Sequence, residues 1–160
     1  MIKDILKILE NDARATVKQI AIMTDSPGAE VGKLIKQAEK DGTILKYKTI
    51  INWEKVGREQ VWALIEVKVS PEKDVGFDAI ARHIYRFPET RTVYLVSGTY
   101  DLLVVVAAKT EHEVAEFVSE HLAPIEGVHG TVTHFVLKRY KEDGEILEGE
   151  EEVKRQVVVL

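Results

Sequence analysis

Up to Gly42 the apolar residues of this chain recur every three or four positions, and from Thr43 onward they begin to alternate. A helix buries one stripe at the first spacing and a strand buries one face at the second, so the chain divides into parts of different architecture. In the first part, Ile2, Ile5, Leu6 and Leu9 make one helical stripe that ends at Asn11–Asp12. Thr16 with Gln19 three residues on has the form of a capping box, and Val17, Ile20 and Ala21 carry a short second helix to about Met23. Pro27 suits the first turn of a third helix, in which Val31, Leu34, Ile35 and Ala38 form the inward stripe and Gly42 the stop. Three short helices with a brief Thr24–Ser26 connection make a helix-turn-helix pattern over about 16–41.

Beyond that change, TILKYKTII reads as extended chain and NWEKVGRE as a polar connector. Alternation in VWALIEVKV predicts a strand at 61–69, ended by Pro71. Val75, Phe77, Ile80, Ala81, Ile84 and Tyr85 predict a helix over 74–87, closed by Pro88. TVYLVS and DLLVVVAA read as two strands joined by a hairpin-length Gly98-Thr99-Tyr100 link. A helix over 111–122 turns Val114, Ala115, Phe117 and Val118 inward, and GTVTHFVLKRY at 130–140 reads as a last strand. The order βαββαβ predicts a ferredoxin-like antiparallel sheet with both helices on one face. DLLVVVAA is apolar on both faces, which places it centrally and calls for a cover on the far side, most simply a second copy. The fold class is therefore α+β, with a helix-turn-helix domain at 1–43, a linker strand and connector at 44–59, a ferredoxin-like domain at 60–143 and an acidic tail at 144–160. QVVVL at the end of that tail is a candidate addition to a sheet edge.

Composition narrows the function. The net charge is −5, but residues 1–55 carry 10 Lys+Arg against 8 Asp+Glu, while 56–140 carry 9 against 12 and 141–160 carry 3 against 7. The mildly basic part is the helix-turn-helix. No cysteine is present, so no disulfide or thiolate metal site is expected. No apolar run approaches the roughly 20 residues that span a bilayer, and the N-terminal stretch has no signal-peptide pattern, which fits a cytoplasmic protein with no membrane partner. No P-loop, dinucleotide fingerprint or G-x-S-x-G occurs, so neither a cofactor nor a catalytic residue is expected. His112 and Glu116 are four apart on one helix, but no third ligand stands at a telling spacing and no metal site is expected. His134 alternates away from Thr133 and reads as a packing or interface residue.

ILKILENDARATVKQIA, IKQAEKDGTILKYKTIIN, SGTYDLLVVV and THFVLKRY occur in this order over residues 1 to about 143. In these motifs the chain resembles the leucine-responsive/asparagine-regulator (Lrp/AsnC) family of transcription regulators. The resemblance implies a dimer built through the sheet domains, assembling further into tetramers or octamers. It also implies a small amino-acid-like effector bound near the Gly-x-Tyr-Asp hairpin. On that reading Asp101 receives an amino group, the N–H groups of Gly98 and Thr99 receive a carboxylate, and Tyr100, Thr131 and Thr133 complete the pocket. Asp101→Ala is then expected to weaken the effector response and leave the fold intact. Without the resemblance the same four residues read as an ordinary turn.

Double-stranded DNA is the partner expected of the third helix. Lys33, Lys36, Gln37 and Lys40 lie off its apolar stripe, and Lys18, Lys46 and Lys48 add cations on neighbouring segments. Lysine pairs with phosphate or guanine edges and glutamine with adenine. Glu30 near the helix start is repelled by phosphate but can accept from cytosine N4. Gly32 weakens the helix, unless it permits a close backbone approach. The helix has no arginine, so a metabolite-sensing oligomer with a degenerate helix-turn-helix is the rival reading. A haem-pathway decarboxylase of similar two-domain architecture is a more distant alternative. It needs a basic pocket, whereas the mid-chain is net negative.

Overall fold

The computed structural model describes residues 1–57, 60–70 and 76–147. It contains two compact units, Met1–Ile51 and Asn52–Leu160.

The first unit holds α1 (Ile2–Asn11), α2 (Val17–Met23) and α3 (Gly28–Lys40). Its core is Ile5, Leu9, Ile20, Val31 and Ile35, with Ile8, Leu34 and Ile44 packed against it. Ile2 is exposed, and Ile8, which the expected stripe left out, packs against the core. The capping box forms: the Thr16 N–H donates to Gln19 Oε1 at 2.8 Å and the Gln19 N–H to Thr16 Oγ1 at 3.3 Å. Pro27 stands just outside α3 rather than in its first turn, and its carbonyl accepts from the N–H groups of Glu30 and Val31. Gly42 takes a left-handed φ of 76°, which turns the chain so that the Ile44 N–H closes on the Ala38 carbonyl at 2.9 Å.

Gly32 has no such need. A Cβ there would sit 3.7 Å from Val17 Cγ1, an ordinary contact. Gly32→Ala should therefore stabilise this unit by up to about 1 kcal/mol, read as a higher denaturation midpoint.

No strand forms over 45–52, where a linker strand was expected. The segment has no neighbour to complete a hydrogen-bonded ladder among the described residues, and Leu45, Tyr47, Ile50 and Ile51 are exposed.

In the second unit a single turn of 3₁₀ helix (Trp53–Val56) precedes β1 (Val61–Val69), α4 (Phe77–Ile84), β2 (Thr90–Leu95), β3 (Leu102–Ala108), α5 (Glu111–Glu116) and β4 (Val128–Phe135). The strands lie in the order β2-β3-β1-β4, all antiparallel, so the expected ferredoxin-like sheet forms and β3 is internal. Ala63, Ile65 and Val67 of β1 and Leu102, Val104 and Val106 of β3 face Ile80 and Ile84 of α4, Val114 of α5 and Phe117 just after it.

The opposite face carries Trp62 and Leu64 of β1, Leu103 and Val105 of β3, Tyr94 of β2 and Val132 of β4, by alternation and by cross-strand register. Leu64, Tyr94 and Val132 are exposed there.

Several expectations need correction or fall outside the described residues. Tyr85 caps α4 and is exposed, because the helix ends at Ile84. Val75 lies outside the described residues. Ala115 is exposed, one position off the buried stripe of Val114 and Phe117, and α5 continues into a π turn (Phe117–Leu122) that brings Leu122 inward. β4 ends at Phe135, not at 140, because β1 pairs with it only as far as Ala63↔Phe135. The tail boundary at 144 falls inside a small hairpin, β5 (Lys141–Glu142) and β6 (Glu145–Ile146). Asp143 and Gly144 turn it with φ of 45° and 90°. Asn52 Nδ2 donates to the Leu147 carbonyl at 2.7 Å and ties the hairpin end to the start of this unit. QVVVL lies outside the described residues.

Candidate nucleic-acid interface and effector site

α3 has two opposite faces. Val31, Ile35 and Ala38 are buried. Lys33, Lys36 and Lys40 are exposed and share one side at about 3.6 residues per turn, with Gln37 next to them. Ala29 belongs to the same face. Its i, i+4 and i+7 spacing to Lys33 and Lys36 is the sequence signal for that placement, and a methyl there suits a thymine methyl.

Glu30 is exposed in the first turn and Lys40 lies in the last, so both charges complement the helix macrodipole. That gives Glu30 a stabilising role besides any contact with a base. Lys18 borders a groove of about 790 Å³ between α2 and the start of α3, with Ile22, Ser26 and Gly28. Lys46 and Lys48 are exposed on the extended segment after α3.

The far side of α3 is tied down. Tyr47 donates to Glu39 Oε1 at 2.9 Å. Desolvation, then this bond and the Glu39 charge, raise the Tyr47 phenol above its ordinary pKa. The Thr43 hydroxyl and N–H both donate to Asp41 Oδ1, at 2.7 and 3.0 Å, and hold that carboxyl below the usual range.

The hairpin at 98–101 joins β2 to β3. Gly98, at φ 147°, and Thr99 are exposed, whereas Tyr100 and Asp101 are half-buried. The Asp101 N–H donates to the Val67 carbonyl at 3.1 Å, and its Oδ2 accepts from the Val69 N–H at 2.8 Å. Asp101 therefore pins the hairpin to the end of β1 and is not free for a ligand alone.

This overturns the expectation that Asp101→Ala leaves the fold intact. The substitution orphans the Val69 N–H and should cost about 1–3 kcal/mol. Asp101→Asn keeps an acceptor and should fold nearly as well, and thermal unfolding of the two variants separates them.

Thr131 and Thr133 pair with Val67 and Ile65 and point to the helix-covered face. β1 runs between them and the hairpin, a separation of about 10 Å across two strand spacings. The structure does not bring them to the hairpin.

His112 pairs with Glu116 at 3.2 Å on an exposed helix side. His134 lies 3.0 Å from Glu66 on the open sheet face. Among the described residues no group of three or more His, Cys, Asp or Glu side chains could hold a metal ion. No helix of the described residues is long and apolar enough to cross a membrane.

Residues 62–146 match the Lrp/AsnC ligand binding domain. The chain belongs to the Lrp/AsnC family. Its relatives include the uncharacterized HTH-type transcriptional regulator YugG of Bacillus subtilis, 46% identical over 97% of this chain and 94% of the relative. An HTH-type transcriptional regulator of Pyrococcus horikoshii is 33% identical over 90% of this chain and 92% of its own. A Neisseria meningitidis regulator solved in complex with L-methionine superposes with a TM-score of 0.70, at 23% identity, over 88% of this chain and 90% of that one. That last likeness establishes the shared fold. The Lrp/AsnC match covers the hairpin, β1 and β4, and the relatives extend the likeness through α1, α2 and α3.

Proposed function

We propose that this chain is a cytoplasmic, ligand-responsive transcription regulator that binds double-stranded DNA through α3 and an amino-acid-like effector at the 98–101 hairpin. The observation that carries the DNA half is the exposed face of Lys33, Lys36 and Lys40 behind a buried Val31, Ile35 and Ala38 stripe, within a three-helix unit. Gln37, Ala29 and Glu30 are the side chains placed to read bases, and Lys18, Lys46 and Lys48 add phosphate contacts. In the effector half, the Gly98 and Thr99 N–H groups receive a carboxylate and the free edge of the Asp101 carboxylate receives an ammonium, beside Tyr100. Thr131 and Thr133 act only if a neighbouring copy brings its own strand to the hairpin.

The apolar open face of the sheet supports a homodimer, and tetramers or octamers follow if dimers associate around the hairpin. Effector bound between copies changes the assembly only through different affinities for its two forms. Several weak reader units in one assembly raise the effective concentration of each.

The test is titration of the full chain into its own upstream DNA and a scrambled control at several salt concentrations. Preference for the upstream DNA, with affinity falling steeply as salt rises, supports the reading. A folded oligomer that binds neither DNA at low salt favours the rival, a sensor with a degenerate reader, for which the lack of arginine on α3 speaks. Asp101→Asn tests the effector half. It should leave DNA affinity without effector unchanged and weaken the response to a panel of amino acids.

A further inference from the structure

On the helical side of the second unit, a cleft of about 700 Å³ opens between α4 and the π turn. Its floor is apolar, formed by Ile80, Ile125 and Ala79. Its wall is an aromatic cluster. His121 stacks on Phe87 with centroids 4.7 Å apart and 29° between planes. His83 lies 5.6 Å from Phe87, and the buried Phe117, which does not line the cleft, backs Phe87 edge-on at 5.6 Å. Glu120 and Glu126 stand at the rim, and among the described residues no lysine or arginine lines the cleft.

The π turn builds this wall. The stripe of Val114 and Phe117 continues in an ordinary helix to position 121. Here the Ala123 N–H reaches five residues back to the Val118 carbonyl at 2.8 Å. The wider turn sends Leu122 into the core and leaves His121 against Phe87. Such turns interrupt the regular bonding of a helix and are frequent at functional sites.

We propose that this cleft is a second small-molecule site, which takes an organic ammonium with an aromatic or branched apolar body. The volume and the largely apolar lining with a few polar groups fit a small ligand. The body lies on Ile80, Ile125 and the Phe87–His121 stack, and the ammonium meets Glu120 and Glu126. A carboxylate on the ligand finds only acids at the rim, so the amine binds better than the matching amino acid or acid. The site stands apart from the hairpin and does not depend on the effector reading.

The probe is 2-phenylethylammonium, titrated into the full chain by calorimetry, with phenylacetate as comparator. One saturable site per chain is expected, with phenylacetate at least about tenfold weaker, since a charge-assisted hydrogen bond is replaced by repulsion. Glu120→Gln with Glu126→Gln should weaken the amine about tenfold or more, and Ala79→Phe should block it by filling the cleft. Circular dichroism checks that these exposed substitutions leave the fold intact. Three outcomes overturn the proposal: no saturable amine binding, phenylacetate binding as well as the amine, or amine binding that survives the glutamate changes.

Discussion

Replacing Gly127 by alanine should lower the unfolding free energy by about 2–4 kcal/mol, because strain and overlap add. Gly127 has φ 89°, in the left-handed region that a Cβ disfavours. A Cβ there would lie 2.9 Å from Ile80 Cδ1 and 3.3 Å from the Ser70 carbonyl oxygen. Ile80 is 2% exposed in the sheet–helix core, so its methyl has little room to move. The Ser70 carbonyl is fixed as well, since the Ser70 N–H donates to the Gly127 carbonyl at 2.9 Å. The turn into β4 must therefore shift, or Ile80 must leave its rotamer. Gly130→Ala is the control: nothing lies within 4 Å of its Cβ and its φ is not in that region. Chemical denaturation should separate the two, with a clear loss for Gly127→Ala and little change for Gly130→Ala. Equal stability of the two variants would show that Ile80 and the turn yield more easily than this packing implies.

Local periodicity carries most of the element order. α3 is legible because Val31, Ile35 and Ala38 keep one phase over its full length, and the Thr16–Gln19 box because its partners are three residues apart. The sheet order follows from the βαββαβ sequence, since β1 alternates cleanly and β3 is apolar on both faces. The β5–β6 hairpin was legible as well, because Asp143-Gly144 is a strong turn signal, but the acidic composition around it reads as a tail. Other features could not be read. The π turn leaves no periodic mark, so it brings Leu122 into the core without warning. The bond from Val69 to Asp101 joins residues 32 apart, and only the assembled sheet brings them together. The same holds for Thr131 and Thr133. Their alternation puts them on one face, but which face, and that β1 stands between them and the hairpin, are set by register.

Changing Lys33, Lys36 and Lys40 together to alanine should remove most of the DNA affinity while leaving the reader unit folded. All three are exposed, and alanine is the best helix former, so the core stripe of α3 is untouched. Each lysine that neutralises a phosphate contributes about 0.9 to the slope of log affinity against log salt. Losing three contacts per reader should therefore flatten that slope by about 2–3 for each reader engaged. Changes to Gln37 and Glu30 should act differently. Gln37→Ala should lower the preference for upstream over scrambled DNA with little change of slope, as expected of a base contact. Glu30→Ala separates two roles. If the carboxylate stands near phosphates, binding to both DNAs tightens. If it accepts from a cytosine, binding to the upstream DNA alone weakens. In either case the helix loses its first-turn acid, and stability drops by up to about 1 kcal/mol. A triple-lysine variant that keeps the full slope would move the phosphate contacts to Lys18, Lys46 and Lys48, and α3 would then be a solvated helix beside the interface.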